Sequence, residues 1–344
     1  MPVRPYIQGD EHQIIALFEK VFGHKISLDE WKWKFLQTPN DSNPFILLYE
    51  ENDQILGHIS LWVQDAFIDK KKTKIGTRVD TMVDPDARGK GIYKQLNQAL
   101  LPYAEEEGIE LLYGFPAETA KKLFIRYTNA QHIVDVPRLM YILRPVEAMT
   151  KKFSFLKWFK LLDQPIAAFR LRPFKQHHDG IQEITRCDER FDALQENGKA
   201  HFEVKLNRHK DYLNWRYFDH PERNYQMLAY IDNDEVKGYM VYRITEPDAN
   251  GFCNGMLIDM DVADWDNDKV IQALIETAVT RMKKATVIQA WALSHMPTYH
   301  RLKKYGFIHK DSPMPMVAKE TTADPIYTKD IEKWYITNGD LDSF

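Results

Sequence analysis

Cysteine is scarce in this chain: Cys187 and Cys253 are the only two in 344 residues. Two thiols so far apart build neither a disulfide framework nor a CxxC metal motif, so both read as small buried apolar residues of a reducing compartment. An excess of one charge is also missing. With 46 basic against 50 acidic residues and a net charge of -4, the chain lacks the basic surplus of a general nucleic-acid binder. Long apolar runs are absent, none approaching the roughly 20 residues that span a bilayer. The opening Met1-Pro2-Val3-Arg4-Pro5-Tyr6 has no apolar signal core, and a cytoplasmic location is expected. What is present is 44% apolar and 12% aromatic content, enough for a large core, at a length that suits two domains.

The most informative stretch is Arg88-Gly89-Lys90-Gly91-Ile92-Tyr93. It follows an apolar strand at 77–83 and opens an amphipathic helix with Ile92, Leu96, Ala99, Leu100 and Tyr103 on one face. A strand that turns through glycines into a helix start offers free backbone N–H groups and a positive dipole end, and Arg88 and Lys90 add charge on the same turn. Phosphate binding is the expected role. The spacing is neither that of a P-loop nor that of the dinucleotide fingerprint.

This stretch resembles the pyrophosphate loop of the GNAT superfamily of acyl-CoA-dependent N-acyltransferases, whose pattern is [Q/R]-x-x-G-x-[G/A]. Arg88, Gly91 and the preceding Val83-Asp84-Pro85-Asp86-Ala87 turn match it, whereas Tyr93 stands where Gly or Ala is usual. The resemblance implies acetyl-CoA as acyl donor, held by Arg88, Gly89, Lys90, Gly91, Ile92 and Tyr93. It also implies that the strand before the loop splays, so that the backbone of Met82, Val83 and Asp84 holds the pantetheine arm and the thioester carbonyl. Tyr113-Gly114-Phe115-Pro116 resembles a turn that lies beside the pantetheine in some branches, which adds Phe115 to the cofactor residues.

A domain-scale repeat divides the chain. Trp33-Lys34-Phe35, Pro39, Tyr49-Glu50-Glu51-Asn52-Asp53 and Gly57 align with Trp215-Arg216-Tyr217, Pro221, Tyr230-Ile231-Asp232-Asn233-Asp234 and Gly238. In both copies an Asn-Asp pair joins two β-rich runs, a hairpin signature. Downstream, strand 77–83 has a counterpart at 256–262 and helix 91–107 one at 269–284; a short strand and a further helix follow in each. Asn129 and Gly306 suit left-handed helix ends. The expected fold class is α/β with mixed sheets flanked by helices: two GNAT-like folds in tandem. The expected units are 1–145, a basic-aromatic linker at 146–180, and a degenerate second unit at 181–344. Where the first copy has its glycine loop, the second has Asp264-Trp265-Asp266-Asn267-Asp268, whose carboxylates repel a pyrophosphate; helix N-capping is their expected role.

If the resemblance holds, a primary amine attacks the thioester directly, which requires a base, an oxyanion donor and a route for the leaving thiolate. Asp80 is the candidate base, placed by period-two alternation on one strand face with Arg78 and Met82. The alternative is a carboxylate merely paired with Arg78 or a neighbouring strand. The acid is harder to place: Ile125 occupies the family position of a tyrosine, leaving Tyr127 as the candidate, with Tyr113 also near in sequence. A free thiol has a pKa near ~8.5, so a dedicated acid is dispensable. The resemblance also raises the terminal carboxylate of Phe344 as a group that enters the site.

Three features remain. The basic, aromatic run at 151–173 either lies on a membrane surface or packs its apolar face against the units it joins, and the second is the expectation. His177-His178-Asp179 lacks further ligands and reads as a solvated run, so no metal is expected. The leading function is N-acetyl transfer to a small-molecule amine. Aminoacyl or peptidyl transfer, or a non-catalytic acyl-CoA-binding protein, are the alternatives. Oligomeric state is not encoded locally.

Overall fold

The computed structural model describes residues 2–40, 44–150, 152–198, 201–321 and 330–343. In the first half, β1 (Val3–Pro5), α1 (Glu11–Phe22) and α2 (Leu28–Phe35) lead into β2 (Phe45–Glu51) and β3 (Gln54–Ile68). These are followed by β4 (Lys71–Val83), α3 (Ile92–Glu106), β5 (Ile109–Gly114), α4 (Glu118–Thr128) and β6 (Gln131–Ile142). Helix α5 (Pro145–Met149), a 3-10 stretch Ser154–Leu162 and α6 (Asp163–Arg170) carry the chain across. The second half runs β7 (Ile181–Ile184), α7 (Glu189–Gly198), β8 (Val204–Leu206), α8 (Lys210–Leu213), β9 (Gln226–Asp232) and β10 (Glu235–Ile244). It continues with β11 (Asn254–Val262), α9 (Asp268–Arg281), β12 (Val287–Trp291), α10 (Pro297–Lys304) and β13 (Ile308–Glu320).

The repeated residues do the same work twice. Asn52 and Asp53 take φ of 53° and 60°, and Asn233 and Asp234 take 51° and 61°, the doubly left-handed turn that matches strand twist. They close the hairpins β2–β3 and β9–β10. The repeated glycines are explained by close approach. A Cβ on Gly57 would lie 2.6 Å from Ile92 Cγ2 of α3, and one on Gly238 would lie 2.7 Å from Val262 Cγ1 and 3.1 Å from Val270 of α9. Each glycine lets the crossover helix settle onto its hairpin. Asn129 (φ 55°) ends α4 in the left-handed form, with its N–H on the Ile125 carbonyl, and Gly306 (φ 89°) follows α10.

The two halves share one 13-stranded mixed sheet rather than building one each. Its order is β1-β2-β3-β4-β5-β13-β6-β12-β11-β10-β9-β7, with β8 on β3. β13, from the end of the chain, lies between β5 and β6, while β6 pairs with β12 of the second half. Each half therefore completes its sheet with the other's last strand. Within this frame β4–β5 and β11–β12 are the parallel pairs.

The segment between the halves departs from the expectation. Ala167, Leu171 and Phe174 are buried, but Phe155, Trp158, Phe159, Leu161, Leu162 and Phe169 are exposed, so most of its apolar side chains do not pack against the units it joins. His178 is not solvated either: its Nε2 lies 2.6 Å from Glu276 Oε2 on α9. Among the described residues, no helix is long and apolar enough to cross a membrane.

Candidate active site

Parallel pairing of β4 with β5 ends at Thr77 and Tyr113. Beyond that pair the strands part, and the gap opens into a cavity of about 610 Å³. Its walls are residues 78–81 of β4, Tyr93 of α3, and Gly114, Phe115, Pro116, Ala117, Ala120 and Phe124 from the β5–α4 side. The α1–α2 region adds Phe22, His24, Ile26, Glu30, Trp33 and Lys34, and the second half contributes Glu222, Arg223, Asp342 and Ser343. Of the expected site residues, Asp80, Tyr93 and Phe115 line the cavity.

A bulge shapes its floor. His58 pairs with Met82 but Ser60 pairs with Val79, so β4 carries one extra residue between them, with Asp80 at φ 43°. The extra residue breaks the alternation. Met82 joins Val79 in the core instead of sharing a face with Asp80. His58 Nδ1 lies 2.7 Å from the Asp80 carbonyl oxygen and donates to it, fixing the bulge; burial lowers the His58 pKa to about 4, which keeps the ring neutral.

Asp80 is paired, though not with Arg78. Lys34 Nζ of α2 sits 2.7 Å from Asp80 Oδ2 and 2.7 Å from Asp342 Oδ2 of the carboxy-terminal segment. Burial raises the Asp80 carboxyl above the usual carboxylate range despite Lys34. Burial also opposes ionisation of Asp342, but Lys34, with Arg216 and Arg223 behind it, outweighs that and holds it low. Two carboxylates on one ammonium thus have unlike proton affinities. Sequence reasoning missed Lys34 and Asp342, which no local spacing connects; Phe344 lies outside the described residues.

Arg78 lies across the cleft. Its guanidinium stacks 3.7 Å over the Phe124 ring, and its Nη1 is buried with no hydrogen-bond partner. Glu30 and Glu222 gather on the α2 side, where burial first and the neighbouring Glu222 second raise the Glu30 pKa. Tyr113 is not available as an acid: it is buried, and its hydroxyl lies 3.2 Å from Asp340 Oδ1. Tyr127 is half-buried and outside the cavity lining, its ring 6.2 Å from Tyr93.

The loop at 88–91 leaves its backbone open to solvent. Gly89 and Gly91 take φ of 89° and 76°, both with open space on the Cβ side, and Gly91 caps α3 without any side-chain hydrogen bond to the helix N-terminus. Arg88, Gly89, Lys90 and Gly91 are exposed, and the helix they open places Tyr93 in the cavity wall. Met82, Val83 and Asp84 are outside the cavity lining, and the Asp84 N–H donates to the Leu56 carbonyl.

The second half has the same parting of strands, and it is filled. β11–β12 pairing ends at Leu257 and Ala290. The carboxy-terminal segment occupies the gap: Asn338 Nδ2 donates to the Leu257 carbonyl at 3.2 Å, and Thr337 Oγ1 to Asp259 Oδ1 at 2.8 Å. Asp259 also accepts from Arg208, Tyr217 and Tyr239, all fully buried. A Cβ on Gly339 would meet the Tyr217 hydroxyl at 2.3 Å, so the segment passes here only as glycine. The aspartates at 264–268 do not cap α9 as expected. Asn267 precedes the helix without a side-chain cap, Asp264 Oδ1 accepts from the Asp266 N–H, and Asp268 pairs with Arg301.

A strand parting beside a glycine turn at a helix start defines the GNAT-type fold. Residues 2–122, about a third of the chain, match the family model described as acetyltransferase (GNAT) domain. Solved structures share the fold across nearly the whole chain. A GCN5-related N-acetyltransferase from Anabaena variabilis ATCC 29413 is 11% identical, with a TM-score of 0.66 over 93% of this chain and 72% of that one. Its counterpart from Kribbella flavida is 12% identical, with a TM-score of 0.62 over 92% and 70%. Saccharomyces cerevisiae N-myristoyltransferase, solved with myristoyl-CoA bound, is 10% identical, with a TM-score of 0.59 over 91% and 76%. No curated protein sequence matches the chain. The match over residues 2–122 supports an acyltransferase, and the solved structures show the fold.

Proposed function

We propose that the chain is an N-acetyltransferase that moves the acetyl group of acetyl-CoA to a primary amine of a small molecule. It would work through a first unit at 1–145 joined by the 146–180 segment to a second unit at 181–344. The observation that carries this reading is the open parting of β4 and β5, with a buried, high-pKa carboxylate, Asp80, on its wall. Residues 88–93 hold the diphosphate through free helix-start N–H groups and the charge of Arg88 and Lys90. The donor supplies a thioester carbon open to nucleophilic attack.

The chain's own groups divide the remaining tasks. Asp80 takes the proton that the ammonium must lose, and its raised pKa brings it closer to the working pH of a base. Lys34 orients it from α2. Arg78, in the cavity wall, brings positive charge towards the developing oxyanion. Glu30 and Glu222 favour a cationic acceptor on the α2 side of the cavity. As the C–N bond forms and the C–S bond breaks, the thiolate leaves without a dedicated acid, since Tyr127 stands outside the cavity lining. Two free, buried cysteines fit a cytoplasmic setting.

The test is calorimetric titration of acetyl-CoA into the wild type and Arg88→Glu, with free thiol followed across an amine panel. Saturable binding weakened at least tenfold in the variant, together with thiol release, is the expected result. Binding without release for any amine leaves a sensor; no binding to the wild type removes the reading. Release only with a longer acyl-CoA corrects the donor.

A further inference from the structure

We infer that the segment joining the two halves is a docking surface for an anionic lipid bilayer. Residues 151–175 carry seven basic residues and one acidic residue, Asp163, in a chain whose net charge is -4. The same residues hold Phe153, Phe155, Trp158, Phe159, Leu161, Leu162 and Phe169, all exposed, with Trp158 at 88% and Leu161 at 83%. So much apolar side chain facing water marks an interaction site, because water penalises it unless something covers it.

The surface is held in place rather than dangling. Asp163 is buried, and its two carboxylate oxygens accept from the Val146 and Glu147 N–H groups at 2.9 and 2.7 Å. Lys160 Nζ reaches Glu147 Oε1 at 3.0 Å and the Asn250 carbonyl at 2.6 Å. Ala167, Leu171 and Phe174 are buried. Asp163, Lys160 and the buried Ala167, Leu171 and Phe174 thus tie the segment to the body, and seven other large apolar side chains are left outward.

Charge selects the occupant. The Lys152 ammonium lies 5.5 Å over the Phe153 ring, and the Arg172 guanidinium 5.2 Å over Phe169. Cations bordering exposed aromatic rings suit an interface where rings enter the headgroup layer and cations stay among lipid phosphates. An apolar patch built for a protein partner has no such need of concentrated positive charge. The arrangement lies outside the acyl-transfer cavity, so the inference stands apart from that chemistry.

The test is co-flotation of the full chain with phosphatidylcholine vesicles, with and without 30 mol% phosphatidylglycerol, at low and high salt. Trp158→Ser/Leu161→Ser/Leu162→Ser and Lys152→Glu/Arg172→Glu are the variants. All five side chains are exposed, and circular dichroism checks that each variant folds. Binding to the anionic vesicles that falls at least tenfold in each variant, and falls with salt, is the expected result. No wild-type flotation with anionic vesicles, or flotation equal in the serine variant, overturns the inference. So does a concentration-dependent dimer, seen by sedimentation and lost in that variant, that forms without any vesicle binding.

Discussion

Trp33 and Trp215 stack at 5.1 Å with an interplanar angle of 19°, and each indole N–H donates to the other's backbone carbonyl, at 2.8 and 2.9 Å. The two residues occupy equivalent positions in the repeat, 182 apart, so their reciprocal bonds mark the pseudo-twofold axis that relates the halves. The next residue in each copy serves the carboxy-terminal segment: Lys34 pairs with Asp342, and Arg216 Nη2 donates to the Leu341 carbonyl at 2.6 Å. The symmetric seam thereby organises an asymmetric site.

Both indoles are buried. Trp33→Ala or Trp215→Ala is therefore expected to cost about 3–5 kcal/mol in chemical denaturation. Because each removal breaks the same stack, the double variant should fall short of the sum by roughly 0.5–3 kcal/mol. Strict additivity of the two losses would contradict a shared seam.

Asp80→Asn is expected to lower kcat about 100-fold or more while leaving acyl-CoA affinity within a factor of about two, since the loop at 88–91 is untouched. The wild-type rate should rise with pH through the Asp80 titration, because only the carboxylate accepts a proton. Burial moves that limb above the ordinary Asp value of about 3.9. A pH–rate profile that keeps the same acid limb in Asp80→Asn would assign it to another group.

His58 sets a pH dependence of stability. Its folded pKa, about 4, is below the unfolded value of about 6.5, so its contribution is full above pH 6.5 and is lost as pH falls towards 4. Over that window it amounts to about 3 kcal/mol, at about 1.4 kcal/mol per pH unit. Urea denaturation at pH 7 and pH 5 should show about 2 kcal/mol of this loss, the part of the window that lies above pH 5. His58→Gln, less stable at pH 7, should show a flatter slope across the same interval.

The legible parts of the molecule were those carried by short-range pattern. Asn52-Asp53 and Asn233-Asp234 encode their hairpins because left-handed backbone suits few residues, and Gly89 and Gly91 mark the loop for the same reason. Gly57 and Gly238 were visible as a repeat, but their cause is a helix that arrives from far along the chain. The bulge at Asp80 was hidden, because alternation assumes an unbroken pleat. The Asp80–Lys34–Asp342 cluster was hidden more deeply, since its members come from β4, α2 and the chain's end. The exposure of Trp158 overturned a packing expectation that composition alone favours.

The exchange of terminal strands has a consequence for how the protein is made. β5 ends at Gly114, and its neighbour β13 starts only at Ile308. At a synthesis rate of about 10 residues per second, the first half waits on the order of 20 s on the ribosome with that edge unpaired. An open strand edge invites wrong partners for as long as it stays bare. A gene cut between the halves would make that wait permanent, so neither product should be soluble unless the two are produced together.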